Sequence, residues 1–310
     1  MPAAFITHAD CLKHEMGAHH PERPERLCAI EDQLIASGLG AMLARYEAPL
    51  ASDADLALVH PIEYVRAVRD AAPESGIVHL DPDTAMNRWT LQAALRAAGA
   101  AVLAVDLVVE KKATSAFCAV RPPGHHACRA RPMGFCVFNN VAVAARHAQS
   151  RYGIERVAIL DFDVHHGQGT QAVVELDRTL FYGSTHQYPL YPGTGSPRER
   201  GIDNNVVNVP LPAGAGGPEF RAAWGDRILP ALDRFEPELV IISAGFDAHA
   251  ADPLAGLEVE TEDFVWLTQE FLAIADQYAQ GRVVSVLEGG YDLTALAESV
   301  ATHVRTLMRD

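Results

Sequence analysis

A short polar run after an apolar segment constrains this chain more than any other feature. Residues 157–162 read as a buried β-strand, and Asp161, Asp163 and His165 stand at every second position from its end. Side chains alternate between the faces of a strand, so this spacing predicts that the three groups project to one side. Unpaired carboxylates are costly at the end of a buried strand, and a cation offsets that cost. Carboxylate oxygen and imidazole nitrogen suit zinc or another divalent first-row metal.

Apolar segments rich in Val, Ile and Leu alternate along the chain with helical segments. The predicted strands are 5–7, 115–119, 157–162, 179–184, 206–210, 239–244 and 283–287. The predicted helices are 24–37, 61–71, 88–111, 139–152, 218–235, 261–280 and 293–308. This alternation predicts an α/β fold in which a single open, mostly parallel sheet of about eight strands has helices on both faces. We expect residues 1–310 to form one catalytic domain.

Composition excludes several classes of function. The net charge of −15 argues against nucleic acid as the main ligand, because phosphate binding needs a basic surface. The five cysteines form no Cys-x-x-Cys pair, which argues against a disulfide framework and fits a cytoplasmic location. Residues 93–109 are the most apolar helical stretch, but Arg96 and Asp106 interrupt them. We therefore predict a buried helix there, with no membrane span and no signal peptide.

Polar and glycine-rich segments follow five of the predicted strands. These segments are 121–128, 161–169, 184–195, 245–252 and 288–292. The carboxyl ends of parallel strands meet at one edge of a sheet, where sites form in such folds. The sequence therefore predicts one catalytic cleft at this edge.

The loop after the strand that ends near residue 244 supplies candidates for a third metal ligand. Asp252 would complete a set with Asp163 and His165, and three protein ligands with an open position describe a catalytic metal. Asp247 and His249 lie on the same loop and are rival candidates. Spacing alone does not choose among the three.

Other groups predicted at this edge suit hydrolysis of an amide or ester. His125 and His126 follow a Pro-Pro-Gly turn and offer a general base and acid near neutral pH. Tyr291 follows Gly-Gly, and its hydroxyl would donate to a developing oxyanion. Phe135 and Tyr191 would line a narrow apolar slot.

Together these motifs resemble the zinc-dependent histone deacetylase superfamily, whose fold is the arginase/deacetylase fold. The matching segments are 20–27, 121–127, 134–140, 161–169, 243–253 and 288–292. The Pro-Glu-Arg-Pro-Glu-Arg and Glu-Gly-Gly-Tyr forms are similar to class II enzymes and to prokaryotic histone deacetylase-like amidohydrolases. The resemblance covers nearly the whole chain and implies that it is an active zinc amidohydrolase.

The resemblance implies roles for individual residues at the metal and beside it. Zinc would be held by Asp163, His165 and Asp252. His126 would act as the main general base and acid, with His125 tuning the charge beside it and Asp161 accepting a hydrogen bond from His125. A structural potassium ion would be bound by Asp161, Asp163, His165 and Ser184.

The resemblance also implies how a substrate would be held. Tyr291 would polarise the acyl carbonyl. The acyl-lysine tunnel would be lined by Gly134, Phe135, Tyr191, Val259 and Gly289. Gln168 would orient His126, and Arg26 would lie near an internal exit channel for acetate.

The implied activity is removal of an acetyl or related acyl group from an acetylated lysine side chain or a small acylated amine. The alternative is an acetylpolyamine amidohydrolase, which needs an acid at the tunnel mouth. Val259 falls near that gate, and Glu258 and Glu260 flank it. A binuclear manganese ureohydrolase would want a further carboxylate where Gly167 stands, and a catalytically dead binding protein would have lost a ligand or Tyr291. The sequence is compatible with a homo-oligomer.

The His-rich segment 10–24 is open to three interpretations. It would be a rim loop that narrows the tunnel, a subunit contact, or a solvated loop.

Overall fold

Eight parallel strands form one open sheet in the computed structural model, which describes residues 2–309. The order across the sheet is β2-β1-β5-β10-β9-β6-β7-β8. The strands are β1 (Ala4–Thr7), β2 (Ala44–Glu47), β5 (Ala116–Cys118), β6 (Val157–Asp161), β7 (Leu180–Gln187), β8 (Val206–Leu211), β9 (Leu239–Ala244) and β10 (Val283–Leu287). The predicted α/β fold with a parallel sheet is confirmed.

Helices connect these strands and cover the sheet. They are α1 (Glu25–Ala36), α2 (Asp53–Leu56), α3 (Ile62–Asp70), α4 (Thr90–Val109), α5 (Asn140–Tyr152), α6 (Gln168–Val174), α7 (Gly217–Ala223), α8 (Leu229–Phe235), α9 (Thr261–Tyr278) and α10 (Leu293–Leu307). A π-helical turn, Trp224–Ile228, separates α7 from α8, so the helix predicted over 218–235 is divided into three parts. Helix α6 was not predicted, because its seven residues are too few to show a helical period.

Three short strands also escaped prediction. Strand β2 forms an edge of the sheet, and its alternation of half-buried and exposed residues includes the charged Arg45 and Glu47. Strands β3 (Ile77–His79) and β4 (Ala85–Asn87) form a separate antiparallel pair. Three or four residues give too few repeats for a period of two to stand out in the sequence.

Helix α4 lies against the sheet as part of the core. It is the one described helix that is long and apolar enough to cross a membrane by length and composition, and 67% of its most apolar window is buried inside the protein. It packs on α5 and β5. A Cβ at Gly99 would overlap the backbone of Pro49, so glycine permits the close approach of this helix to the chain after β2.

The carboxyl ends of the parallel strands position the candidate site. Strands β6, β9 and β10 are adjacent and every residue in them is buried. The loops that leave them carry the polar segments singled out above. Asp161 at the end of β6 is the register partner of Ser243 on β9, so side chains from distant parts of the chain meet here.

Candidate metal and catalytic site

Three side chains at this edge form a group that is able to hold a metal ion. The ligand atoms of Asp163, His165 and Asp247 all lie within 4.8 Å of one another. The Nδ1 atom of His165 is 3.1 Å from Oδ1 of Asp163 and 3.2 Å from Oδ2 of Asp247. Both carboxylates are buried. We call these three residues the metal group.

Two consecutive turns, rather than strand alternation, build one side of the metal group. Strand β6 ends at Asp161, so Asp163 and His165 lie in the loop that follows. The Oδ1 atom of Asp161 accepts the N–H of Asp163 at 3.2 Å, and Oδ1 of Asp163 accepts the N–H of His165 at 2.9 Å. Aspartate side chains stabilise turns in this way. The N–H of Val164 donates to Asp247 at 2.9 Å and joins this loop to the loop after β9.

Asp252 lies outside the metal group, so the structure corrects the predicted ligand set. The Oδ2 atom of Asp252 accepts the N–H of Tyr291 at 2.7 Å, and its Oδ1 accepts the N–H of Leu254 at 3.0 Å. Because the chain turns after β9, Asp252 lies next to these backbone N–H groups and not next to Asp163 and His165. His249 is also outside, since its Nε2 lies 3.5 Å from the hydroxyl of Thr261. Asp247 is therefore the candidate on this loop that meets Asp163 and His165.

The charges of the metal group fit a divalent cation. Burial and the negative charge of Asp163 raise the pKa of Asp247 to about 7. Burial lowers the pKa of His165, but hydrogen bonds with Asp163 and Asp247 outweigh it and raise that pKa to about 10. A proton on this imidazole thus holds two buried carboxylates together. A metal ion bound by deprotonated ligands would replace that proton.

The paired histidines are fixed by different partners. Nδ1 of His125 lies 3.0 Å from Oδ2 of Asp161. Nδ1 of His126 lies 2.7 Å from Oε1 of Gln168, whose Nε2 donates to the carbonyl of His126 at 2.9 Å. Because a carbonyl only accepts, the amide of Gln168 must present its NH2 there and its oxygen to Nδ1. Nδ1 of His126 therefore carries the proton, and Nε2 is left as the basic nitrogen.

The two imidazoles have opposite proton affinities. Burial lowers the pKa of His125, but the charges of Asp163 and Asp161 outweigh it and hold that pKa well above its usual value. Burial, aided by the charges of His125 and His165, lowers the pKa of His126 well below its usual value. His125 is the charged member of the pair and His126 the neutral one, free to accept a proton.

Aromatic rings lie beside the metal group and the paired histidines. The ring of Tyr191 meets His126 edge to face at 5.2 Å, and the rings of Phe135 and Tyr291 meet at 6.1 Å. Gly134 has a φ of +57°, and a Cβ there would overlap the ring of His126. Glycine therefore permits the close approach of the loop at Gly134 to the ring of His126.

Of two further predicted tunnel residues, one lies in the core and the other lies beside the metal group. Val259 is fully buried, and its N–H donates to Ala248 at 3.2 Å, so it is part of the core rather than of a gate. Glu258 and Glu260 beside it are exposed. Gly289 contacts the metal group, because its N–H donates to Oδ2 of Asp163 at 2.8 Å.

Asp83 is a residue of this site that the sequence analysis missed. Its Oδ1 accepts the N–H of Gly134 at 2.9 Å. Burial raises the pKa of Asp83, but hydrogen bonds with Asp81, Thr84, Gly134 and Tyr191 outweigh it and lower that pKa. The neighbouring Thr84 accepts the N–H of Phe135 at 3.0 Å. The Asp-Pro-Asp-Thr sequence indicates a turn, but nothing in it reveals which distant loop the turn contacts.

Arg26, which was predicted to lie near an exit channel, packs against the ring of Tyr291. Arg26 is fully buried, its Nε donates to the carbonyl of Gly290 at 2.6 Å, and its guanidinium lies 5.0 Å from the centre of the Tyr291 ring. Glu22 pairs with Arg26 at 3.2 Å and also with Arg121.

Segment 10–24 is anchored in the protein rather than wholly solvated. His14 and Glu22 are fully buried, and His20 packs on Phe135 with 4.6 Å between ring centres.

The residues of the predicted potassium site are neighbours. Ser184 is the register partner of Asp161 across β6 and β7. The Oγ atom of Ser184 lies 3.0 Å from Nδ1 of His186, and Oδ2 of Asp161 accepts the hydroxyl of Tyr182 at 2.9 Å.

Comparisons with known proteins show which family this chain belongs to. A family model described as "Histone deacetylase domain" matches residues 20–307. The histone deacetylase-like amidohydrolase of Pseudomonas aeruginosa is 38% identical over 312 residues, which cover 93% of this chain and 81% of that protein. The polyamine deacetylase HDAC10 of Homo sapiens is 38% identical over 336 residues, which cover 100% of this chain and 48% of that protein. The solved HD domain of HDA15 matches with a TM-score of 0.93 and 34% identity, over 99% of this chain and 89% of that one.

Proposed function

Because the chain belongs to the histone deacetylase family, we propose that it is a zinc-dependent amidohydrolase that deacylates acyl-lysine or a lysine-like amine. One observation carries the proposal. Asp163, His165 and Asp247 gather two carboxylates and an imidazole next to a neutral His126, whose ring centre lies 5.9 Å from that of His165. A metal group beside a free base is the arrangement that amide hydrolysis needs.

The metal group would hold the zinc ion. Asp163, His165 and Asp247 supply three protein ligands of the right chemistry, which is the number found in catalytic zinc sites. When bound, zinc would supply a Lewis acid for the acyl oxygen and would lower the pKa of a bound water.

The chain's own residues move the protons. Nε2 of His126 takes a proton from the attacking water, while Gln168 holds Nδ1 at 2.7 Å and keeps the ring oriented. The charged His125, held by Asp161, favours negative charge developing nearby. The hydroxyl of Tyr291 donates a hydrogen bond to the oxyanion of the tetrahedral intermediate. His126 then returns the proton to the leaving amine.

The role of the tyrosine is tested by removing its hydroxyl. Tyr291→Phe should lower kcat by roughly 10² to 10³, because one oxyanion donor is lost. Zinc content, measured by mass spectrometry, should not change, because the hydroxyl is not part of the metal group. Turnover of the variant near that of the wild type would contradict the assignment.

A structural potassium ion beside the metal group is part of the proposal. Asp161 is fully buried and Ser184 faces it across two strands, so oxygen atoms from both would be available to a hard cation. Replacing potassium by choline in the buffer should lower the melting temperature. An unchanged melting temperature would argue against the ion.

An acetylpolyamine is the second candidate substrate. The carboxylate of Asp83 lies next to Gly134 and Tyr191, where it would attract the free ammonium groups of a polyamine. The human relative at 38% identity is named a polyamine deacetylase. Asp83→Asn should then raise KM for acetylpolyamines more than for a neutral acetyl-lysine peptide.

A paired assay of the zinc-loaded protein tests the proposed function. One arm uses a fluorogenic acetyl-lysine peptide, and the other uses N-acetylputrescine and N-acetylspermidine, each with and without a hydroxamate. Hydroxamate-sensitive peptide turnover would support lysine deacylation, and turnover of the polyamines alone would favour the second candidate. No turnover of any of the three substrates by protein with confirmed zinc would contradict both.

A further inference from the structure

Glu288 is a fully buried carboxylate directly behind the paired histidines. Its Oε2 accepts the N–H of Gly124 at 2.6 Å and the N–H of His125 at 3.1 Å. Its Oε1 accepts the hydroxyl of Ser243 at 2.8 Å. Both carboxylate oxygens of Glu288 thus accept hydrogen bonds from residues of the site. Glu288 is nevertheless neither in the metal group nor a proton donor or acceptor in the mechanism above.

The partners of Glu288 belong to separate parts of the site. Gly124 and His125 form the turn that presents the catalytic histidines. Ser243 lies at the end of β9 and is the register partner of Asp161, which holds His125 from its other side. A carboxylate bridging these elements fixes the distance between the histidine turn and the sheet.

Backbone groups of Glu288 and its neighbours also contact other parts of the site. The N–H of Gly289 donates to Asp163 in the metal group, and Tyr291 follows two residues later. The carbonyl of Glu288 accepts Nη2 of the buried Arg26 at 2.6 Å. Glu288 therefore stands where the metal group, the histidine turn and Tyr291 are joined through one short segment.

We propose that Glu288 is a positioning residue whose carboxylate holds His125 and His126 in register with the metal group. This inference rests on the proposed function, because it concerns the same reaction. Two hydrogen bonds to adjacent N–H groups orient this turn as a rigid unit. A displacement of about 1 Å in catalytic groups costs roughly 10² in rate, which sets the expected effect of removing this support.

Two substitutions separate the shape of Glu288 from its charge. Glu288→Gln keeps an oxygen for the two N–H donors, and its NH2 group donates to the hydroxyl of Ser243, which turns to accept. Glu288→Ala removes every contact. We expect Glu288→Ala to lower kcat by roughly 10² with KM within about threefold of wild type, and Glu288→Gln to stay within about tenfold in kcat.

A second measurement does not depend on turnover. The N–H of Gly124 donates to a carboxylate at 2.6 Å, so its amide proton should resonate far downfield and exchange slowly with deuterium. Both properties should disappear in Glu288→Ala and persist in Glu288→Gln, while zinc content stays at the wild-type level. If Glu288 had only a structural role, Glu288→Ala would reduce stability, but the Gly124 resonance would not distinguish the two variants in this way. The loss of activity would then not be confined to kcat.

Matched variants control for loss of stability. Asp263 is a buried carboxylate away from the site that pairs with Arg221 at 2.6 Å, so Asp263→Ala should cost stability and leave kcat unchanged. If Glu288→Ala does not fold, Ser243→Ala removes only the hydroxyl donor to Oε1 and should lower kcat by about threefold to tenfold at constant KM.

Failure of the inference differs from failure of the proposed function. An active wild type whose Glu288→Ala variant keeps its kcat and its Gly124 resonance would overturn the positioning role. Unchanged kcat and an unchanged Gly124 resonance in Ser243→Ala would do the same. A wild type that hydrolyses no acylated amine would overturn the proposed function, whatever the Gly124 resonance shows.

Discussion

The identity of the third metal ligand is the sharpest prediction of this structure. Asp247 and Asp252 lie on one loop, five positions apart, and both are buried. Replacing each by asparagine keeps the shape of the side chain and removes its negative charge. The geometry predicts that Asp247→Asn loses zinc and that Asp252→Asn keeps it.

The expected magnitudes follow from the contacts. Asp247 has an oxygen 3.2 Å from Nδ1 of His165 and is one of the three residues of the metal group, so loss of its carboxylate leaves two protein ligands. We expect zinc affinity to fall by more than about 10³, which corresponds to about 4 kcal/mol. Asp252 instead accepts backbone N–H groups of the segment that carries Tyr291. Mutation of a residue that supports the site without binding the metal costs roughly tenfold to 100-fold in metal affinity or activity.

Competition with a chromophoric chelator measures zinc affinity, and mass spectrometry measures zinc content. Asp247→Asn should be purified without zinc, whereas Asp252→Asn should bind one equivalent and show reduced turnover. The opposite pattern, with zinc retained by Asp247→Asn and lost by Asp252→Asn, would refute the assignment and restore the ligand set that the resemblance implied.

Three further predictions concern folding and the shape of the site. The Nδ2 atom of Asn205 lies 2.8 to 2.9 Å from three backbone carbonyl oxygens, which share its two N–H donors, so Asn205→Ala should lower the free energy of unfolding in urea by about 2–5 kcal/mol. Neutral His60 accepts the N–H of Asn139 at 3.0 Å, and burial lowers its pKa to about 4. Since the unfolded state then binds more protons, stability should be complete above pH 6.5 and fall by roughly 3 kcal/mol towards pH 4, and His60→Gln should flatten this dependence in urea titrations. Gly134→Ala should lower kcat by at least about 10², because its Cβ would overlap the ring of His126, the proposed base, whereas Gly193→Ala, also at positive φ but with open space, should lose only stability.

Regular structure was the part of the molecule most readable from the sequence. Strands such as β9 and β10 are buried and almost entirely apolar, and helix α5 is capped by Asn139 at its start and by Gly153 at its end, both typical boundary residues. Such patterns are local, so one segment suffices to recognise them. The order of strands in the sheet then places their carboxyl ends together, which is why the location of the site was predictable.

The geometry of the metal group did not follow from local sequence patterns. Asp163 and His165 were expected to meet through strand alternation, but the strand stops at Asp161 and two side-chain-to-backbone turns bring them together. The choice between Asp247 and Asp252 depends on the path of a turn, which spacing does not specify. Val259 was misplaced for the same reason, since its burial follows from that path. Asp83 went unnoticed because its contacts with Gly134 and Tyr191 join loops far apart in the chain.

Burial explains why these contacts matter to the reaction as well as to the fold. Asp161, Asp163 and Asp247 are carboxylates with almost no exposure to solvent, and each needs a positive or hydrogen-bonding partner. Asp161 takes His125, while Asp163 and Asp247 share His165. The same arrangement makes His125 charged and leaves His126 neutral. The buried negative charge that attracts a cation therefore also assigns the proton within the histidine pair, so a change in Asp163 alters both metal affinity and the basicity of the histidines.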